Sequence, residues 1–397
     1  MLDFTRVLAG PHATRMLTDL GADVIKVEPP SGDLTRFTYP RVNGLSTYFV
    51  QQNAGKRNVS IDLADPRGAE LALRLAEHCD VLVQNYRPGV MDRLGLGPET
   101  VTARNSRLVY ASISGYGSTG PWTHRRAYAP VVGAETGLTK DQGDARGGVY
   151  ANDPHSHADV YTSLEATIAI LAALHQRERT GRGQSLEISM AETMLYVNEH
   201  LHDELYDGPV DPQGVRSFSP GDYLTFTLAD GQAVIVSGHP AERGTFELFL
   251  GALGQEHLAA DPRFAEVAGR IEHFDELREL LLAAGAKFPD ATTFEERFAE
   301  YRLASGVVRT ARELAESEWA AARGAIVEVP DRGGGSIRVP NVPWHFGNAD
   351  AGVRGEPRYR GEDNRAVLAE LLGYDDATLD ALEADGVLSS RVRAPRQ

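Results

Sequence analysis

Short apolar runs and stretches of helical spacing take turns along the first half of the chain, the pattern of a parallel sheet whose strands are joined by helices. The segment Leu2–Glu28 reads as a short strand, the loop Val7-Leu8-Ala9-Gly10-Pro11, a helix to Leu20 stopped by Gly21, and a strand from Ala22 to Val27. Proline just inside a helix and glycine just past it is the expected asymmetry. The alternation continues with a strand at Val59–Leu63, a helix at Pro66–His78 and a strand at Val81–Val83. It then predicts the turn Arg87-Pro88-Gly89, a short helix through Leu94 and a strand at Leu108–Ile113. In such a sheet ligands sit beyond the carboxyl ends of the strands, so the loops Val7–Pro11, Gln84–Gly89 and Ser114–Pro121 are expected to face one crevice.

The stretch Ser156–Ser189 stands out. From Asp159 the positions Val160, Leu164, Ile168 and Leu171 form a helical stripe while Ala166, Ile170 and Ala173 fill another face, which predicts a largely buried helix. Thr180-Gly181-Arg182-Gly183-Gln184 stops it, Leu186, Ile188 and Met190 alternate as a strand, and a further helix begins near Ala191. Asp159 heads the long helix, where unpaired N–H groups and the macrodipole favour an anion. An aspartate there is either an ordinary capping acid or a carboxylate held for chemistry.

Around Pro209–Gly221 the composition shifts to Pro, Gly and Asp, a crossing between domains. Beyond it a hairpin, Tyr223–Leu228 with Ala233–Ser237, turns at Asp230-Gly231. Helices are predicted at Gly244–Leu253, Ile271–Ala284, Thr293–Tyr301 and Thr310–Glu316, and again in the tail Gly361–Leu388. The fold class is α/β, a Rossmann-like doubly wound parallel sheet domain plus a smaller α+β domain. The expected divisions are a large domain over 1–208, a linker over 209–222, a small domain over 223–325, and a return over 326–397 that completes the large domain.

A formal charge of −16 over 397 residues argues against broad binding to nucleic acid or an anionic membrane. An anionic ligand then needs a local basic pocket, for which Arg6, Arg36, Arg87, Arg93, Arg125 and Arg126 are available. No run is apolar enough to span a membrane, and Met1-Leu2-Asp3-Phe4 does not resemble a secretory leader. Cys79 is the single cysteine, so no disulfide can form within the chain, and a cytoplasmic location is the expectation. No GxGxxG follows the first strand, and no Walker-type run is present. The pairs His155/His157 and His200/His202 invite a metal, but the second lies in a predicted helix, where positions two apart diverge. No metal site is expected. Ser114 lacks a true nucleophile elbow, and Gly333-Gly334-Gly335 precedes a strand and reads as a hairpin turn.

Several motifs together resemble the family III coenzyme A transferases (CaiB/BaiF, formyl-CoA transferase-like). They are Leu2-Asp3-Phe4-Thr5 with Ala9-Gly10-Pro11, Leu20 through Glu28, Gly32-Asp33-Leu34-Thr35-Arg36, Asn53-Ala54-Gly55-Lys56-Arg57 and Asn85-Tyr86-Arg87-Pro88-Gly89. Asp92-Arg93-Leu94-Gly95, Ser112–Gly120, Thr180–Gln184 and Gly361-Glu362-Asp363 continue the match over nearly the whole chain. The resemblance implies an interlocked homodimer and makes Asp159 the nucleophile of an acyl-CoA:carboxylate CoA-transferase. It implies a mixed anhydride and then an aspartyl-CoA thioester, with an acyl-CoA and a small carboxylic acid as partners. CoA enters as a substrate moiety and no cofactor is bound permanently. By the same resemblance Arg6, Leu8, Ala9, Arg36, Asn85, Tyr86, Arg93 and Arg126 bind CoA, while Tyr128, Gly115 and Gly117 wall the substrate pocket. Arg6 stands where the family often has histidine, and Arg126 where a relative has lysine.

The family this chain resembles shares its superfamily with 2-methylacyl-CoA racemases, which move an α-proton with a histidine and an aspartate and a supporting glutamate. Here Tyr128 occupies the histidine's place, and tyrosine, with an ordinary pKa of about 10, is a poor base at neutral pH. Transfer is therefore preferred to racemisation. A noncatalytic CoA-binding subunit is a lesser alternative, disfavoured because Asp159 is present. The stretch Arg216–Gly221 departs from the glycine-rich loop of oxalate-specific transferases, which leaves donor and acceptor open.

Overall fold

Six parallel strands carry the first part of the chain: β1 (Leu2–Asp3), β2 (Ile25–Glu28), β3 (Arg57–Ser60), β4 (Val81–Gln84), β5 (Val109–Ser114) and β6 (Ser185–Ser189). Their order is β3-β2-β1-β4-β5-β6, so the progression reverses between β1 and β4, where Asp3 pairs with Lys26 on one side and Val83 on the other. A ligand crevice is expected beyond the carboxyl ends at that reversal. This computed structural model describes residues 1–208 and 220–391.

Alternate strand residues point to opposite faces, and each face buries its own helices. Leu82, Leu108 and Tyr110 pack with Leu71 and Leu75 of α3 (Pro66–Glu77), Val101 of α4 (Pro98–Arg104), Val367 and Leu368 of α8 (Asn364–Leu372) and Leu379 of α9 (Asp376–Ala384). On the other face Val81, Val83, Val109, Ala111 and Ile113 meet Ala9, Ala13 and Leu17 of α1 (Ala9–Asp19) and Ala166, Ile170 and Ala173 of α6 (His157–Thr180). Three further helices matter below: α2 (Thr47–Asn53), α5 (Ala129–Glu135) and α7 (Met190–Tyr196).

Two expectations need correction. The helix α6 is not largely buried: its alanine-rich face packs on the sheet, while Leu164, Ile168 and Leu171 are 40%, 59% and 44% exposed. Among the described residues of this chain that stripe is left exposed. The strand foreseen at Val59–Leu63 starts and ends earlier, because Ile61 leaves the parallel ladder for an antiparallel bridge to Leu388. The C-terminal segment protects this edge of the sheet: the side chains of Asp363 and Asn364 accept the N–H groups of Asn58 and Ser60, each at 2.8 Å.

By internal contacts the chain falls into two units, one of Met1–Asp144, Val149–Glu204 and the part from Glu318 onward, the other of Leu205–Ser317 with Ala145–Gly148. The second unit has a three-stranded antiparallel sheet in which Ala233–Val236 lies between Thr225–Thr227 and Ser305–Val307. Phe226, Phe249, Phe294 and Phe298 fill its core. The helix foreseen over Ile271–Ala284 is interrupted at His273, giving Val267–Glu272 and Phe274–Gly285. Of the linker assigned to 209–222, residues 209–219 lie outside the described residues, as does most of Arg216–Gly221. The Gly333–Gly335 turn joins Ile326–Pro330 to Ser336–Pro340 as an antiparallel hairpin. Among the described residues no helix is long and apolar enough to cross a membrane, and no group of three or more His, Cys, Asp or Glu gathers as a metal site.

Beneath the β1–α1 loop lies a buried ionic cluster. Lys56 Nζ donates to Asp3 Oδ2 at 3.0 Å, Pro11 O at 2.9 Å, Thr14 Oγ1 at 2.7 Å and Asn53 Oδ1 at 2.9 Å. One ammonium thus ties β1, α1 and α2 together. Removing one partner of a buried ion pair strands the other charge. Lys56→Met is accordingly expected to destabilise the protein by about 3–5 kcal/mol in urea denaturation, and a loss below about 1 kcal/mol would contradict the role given to the cluster.

Candidate active site

The loop after β1 is bent by its surroundings into a shape its residues do not favour. Val7 has φ of +68°, a left-handed backbone that a β-branched residue rarely adopts and that costs on the order of 1–3 kcal/mol. Each residue around it is held. Thr5 N–H donates to Asp3 Oδ1 at 2.8 Å, and its carbonyl accepts from Lys26 Nζ at 2.7 Å. Arg6 is clasped on both sides by Asn85, whose Oδ1 accepts the Arg6 N–H and whose Nδ2 donates to the Arg6 carbonyl, both at 2.8 Å. Val7 N–H faces both carboxylate oxygens of Asp33 at 3.3 Å, and Asp33 is itself paired with Lys26 at 3.3 Å. Gly10 completes the bend, since a Cβ there would lie 2.2 Å from Thr5 Cβ. The Arg6–Asn85 clasp spans β1 and β4, where the sheet order reverses.

The consequence appears at the start of α1. Its N-cap is Leu8, which has no oxygen to cap with, and the N-cap of α5 is Tyr128, which likewise makes no side-chain cap. The first N–H groups of both helices are thus left for another acceptor. Asp159, in the first turn of α6, faces them: the backbone N–H groups of Ala9 and Ala129 act on its carboxylate. Burial is the larger influence and pushes the Asp159 carboxyl up to about 6, against the opposite pull of those two N–H groups. No cationic side chain is among the influences on it. Tyr48 of α2 also faces this group, since burial and then the Asp159 carboxylate raise its phenol above the usual tyrosine range.

Asp159 opens onto a cavity of about 400 Å³. Of the sequence-predicted residues, Arg6, Ala9, Asn85, Tyr86, Gly115, Gly117, Arg126 and Tyr128 line it together with Asp159. Arg6 Nε is buried there without a hydrogen-bond partner, a cation awaiting an anion. Tyr86 is raised by burial while Arg6 pulls it back. Among the described lining residues Asp159 is the one carboxylate, and there is no histidine.

Three predicted residues are not brought to this cavity. Leu8 is buried as the N-cap of α1, and Arg93 is exposed at the end of the short helix Val90–Arg93. Arg36 turns away to Glu28, donating from Nε at 2.8 Å and Nη2 at 2.6 Å, and stacks on Phe49 with its guanidinium carbon 3.8 Å from the ring centre. Sequence reasoning missed Tyr48 and the N–H of Ala129. The first was signalled by Leu45-Ser46-Thr47, where Ser46 caps α2 by accepting from Phe49 N–H at 3.3 Å. The second is a backbone group, and no side-chain pattern announces it.

A doubly wound sheet with a desolvated carboxylate at its switch point and a basic cavity before it is the frame on which comparison with known proteins bears. Residues 1–364 match the model of CoA-transferase family III, and the chain belongs to that family. It is 32% identical to the succinyl-CoA:glutarate CoA-transferase of Mus musculus over 98% of this chain and 89% of that one. It is 30% identical to the formyl-CoA:oxalate CoA-transferase of Streptomyces coelicolor, over 98% of each. The crystal structure of a CaiB/BaiF family protein from Brucella suis superposes with a TM-score of 0.78 at 30% identity, covering 93% of this chain and 97% of that one. The protein is a CoA-transferase.

Because folding raises the Asp159 carboxyl, the native state favours its protonated form, and the stability so gained is full below the ordinary carboxyl range and is lost as pH rises through about 6. Asp159→Asn imitates the protonated form. Its melting temperature is expected to exceed that of the wild type at pH 7.5 and to converge with it near pH 4; equal melting at both pH values would contradict the burial assigned to this carboxylate.

Proposed function

We propose that the enzyme transfers CoA from an acyl-CoA to a carboxylic acid through covalent intermediates on Asp159. The observation that carries this reading is a desolvated carboxylate, its carboxyl pushed up to about 6, with no cation on it and two backbone donors aimed at it. A carboxylate of raised basicity is the better nucleophile, and covalent catalysis divides a difficult exchange into easier steps.

One Asp159 oxygen attacks the thioester carbonyl; the C–S bond breaks, CoA leaves as thiolate, and a mixed anhydride remains. The thiolate attacks the Asp159 Cγ, the acyl group departs as a free carboxylate, and an aspartyl-CoA thioester is formed. An acceptor carboxylate then attacks Cγ and expels the thiolate, which attacks the acceptor's own carbonyl to give the new acyl-CoA and restore Asp159. Whenever Cγ becomes tetrahedral, negative charge grows on the oxygen facing Ala9 and Ala129, so their N–H groups serve as an oxyanion hole. Arg6, Ala9, Asn85, Tyr86 and Arg126 hold the CoA moiety in the cavity, with Leu8 setting the start of α1 and Arg93 at the outer edge. Tyr128, Gly115 and Gly117 orient the acyl group. The mouse and Streptomyces relatives are named for glutarate and oxalate, which makes dicarboxylic acids the first acceptors to try.

The active form in this reading is a homodimer. The exposed stripe Leu164, Ile168 and Leu171 on α6 supports it, being the apolar face that a second copy would cover.

Mass spectrometry after incubation with succinyl-CoA and other acyl-CoAs is expected to find a hydroxylamine-sensitive CoA adduct on Asp159. Asp159→Ala should lose transfer by at least about 10⁴-fold while still binding CoA. An active Asp159→Ala protein, or α-proton exchange in a 2-methylacyl-CoA without any adduct, would overturn the mechanism in favour of racemisation or another path. Ile168→Glu is expected to shift the protein toward monomer in sedimentation, and an unchanged dimer would remove α6 from the interface.

A further inference from the structure

Arg125 lines the cavity that holds Asp159 but has no part in the reading above. It is held in place from two sides. Its Nη2 pairs with Glu135 at the end of α5, and its guanidinium carbon lies over two aromatic rings, 4.4 Å from the centre of Trp122 and 5.2 Å from that of Tyr116. Those rings meet edge to face with their centres 5.4 Å apart. Glu135 and the two rings fix the guanidinium, while its Nε and Nη1 have no partner among the described residues. An arginine has more N–H donors than one ion pair uses.

Tyr116 supplies a second donor. Its hydroxyl is buried and has no hydrogen-bond partner among the described residues, whereas a buried tyrosine ordinarily finds one. Burial raises its phenol and Arg125 pulls it back, so guanidinium and hydroxyl act on the same space. The Tyr116 ring packs on the cluster of Ala129, Val132, Ala158 and Met190. Two of these border the reacting group, since Ala158 precedes Asp159 on α6 and Ala129 turns its N–H toward it. Arg6, Asn85 and Tyr86, which the reading above gives to CoA, come from the loops after β1 and β4, whereas Tyr116 and Arg125 come from the loop after β5. The cavity therefore has a second polar wall, on its β5 side.

We propose that Arg125 and Tyr116 bind a second carboxylate on the substrate, at the far end of the acyl chain from the carbon that reacts with Asp159. A carboxylate there accepts from the guanidinium and the phenol together. A methyl group in its place leaves both donors unpaired, and a site built to hydrogen-bond a group discriminates strongly against the analogue that lacks it. The substrates are then dicarboxylic acids and their CoA thioesters, and Arg125 is the residue that selects them. The inference rests on the reading of Asp159 as the reacting group, which decides the end of the chain that faces Arg125.

Calorimetric titration of succinyl-CoA, butyryl-CoA and free CoA into the Asp159→Asn protein, alone and combined with Arg125→Gln, Arg125→Lys or Tyr116→Phe, tests it. Butyryl-CoA carries a methyl group where succinyl-CoA carries the second carboxylate. Asp159→Asn alone is expected to bind succinyl-CoA about tenfold more tightly than butyryl-CoA. Arg125 is exposed, so its replacement leaves the fold intact. Arg125→Gln should remove most of the preference by weakening succinyl-CoA, with butyryl-CoA and CoA changed by less than about twofold. Arg125→Lys should recover part of the loss, and Tyr116→Phe should weaken succinyl-CoA about threefold. Equal binding of the two thioesters by Asp159→Asn, or a preference for succinyl-CoA that survives Arg125→Gln, would overturn the proposal. Arg125→Gln that weakens thioesters and free CoA alike would also overturn it and give Arg125 to CoA. These constants need no turnover, so a failure here is distinguishable from a failure of the Asp159 mechanism, which adduct formation by the wild type reads.

Discussion

The active site depends on a turn that residues 5–9 would not hold by themselves. Val7 sits in a left-handed conformation that is retained only because buried groups fix the backbone before and after it. Asp33 takes its N–H, Asn85 takes both backbone groups of Arg6, and Asp3 with Lys26 takes those of Thr5. The bend delivers the uncapped start of α1 to Asp159. Strain of this kind persists where the surrounding structure over-determines it, and it is found at functional sites.

The same geometry sets a balance at Asp159. A carboxylate wrapped in donors or paired with an arginine would be stable and unreactive, and one with no donors would be protonated at neutral pH. Two backbone N–H groups and no cation place it between these limits. In the proposed reaction the N–H groups also keep their value when negative charge grows on the oxygen of a tetrahedral Cγ, since they are fixed by helices α1 and α5 and need no rearrangement. Stability is given up for this, which fits the tension between a reactive site and a well-satisfied fold.

The parallel sheet was readable because short apolar runs such as Val81–Val83 alternate with helices that carry ordinary stop signals such as Gly21 and Gly181. Arg6, Asn85 and Tyr86 could be expected beside Asp159, at the head of α6, because they fall in loops at the carboxyl edge of the sheet. The Arg36 side chain stays out of the Asp159 cavity for a physical reason: its motif fixes its position in the chain but not the direction of its side chain, and Glu28 claims that. The α6 stripe was read as buried because apolar spacing reports a need for cover without saying whether the same chain supplies it. Tyr48 was overlooked because the short α2 was, and the N–H of Ala129 belongs to the backbone, which every residue has.

The central claim is that Asp159 reacts as a carboxylate of raised basicity. Rapid-quench measurement of CoA-adduct formation from succinyl-CoA between pH 4.5 and 8 (about half-unit steps) tests it without involvement of the acceptor. The rate is expected to rise with pH through a single ionisation near 6, the value to which burial pushes this carboxyl, and then to level off. A rate already at its plateau at the acid end of that range would show an ordinary carboxylate and contradict the account.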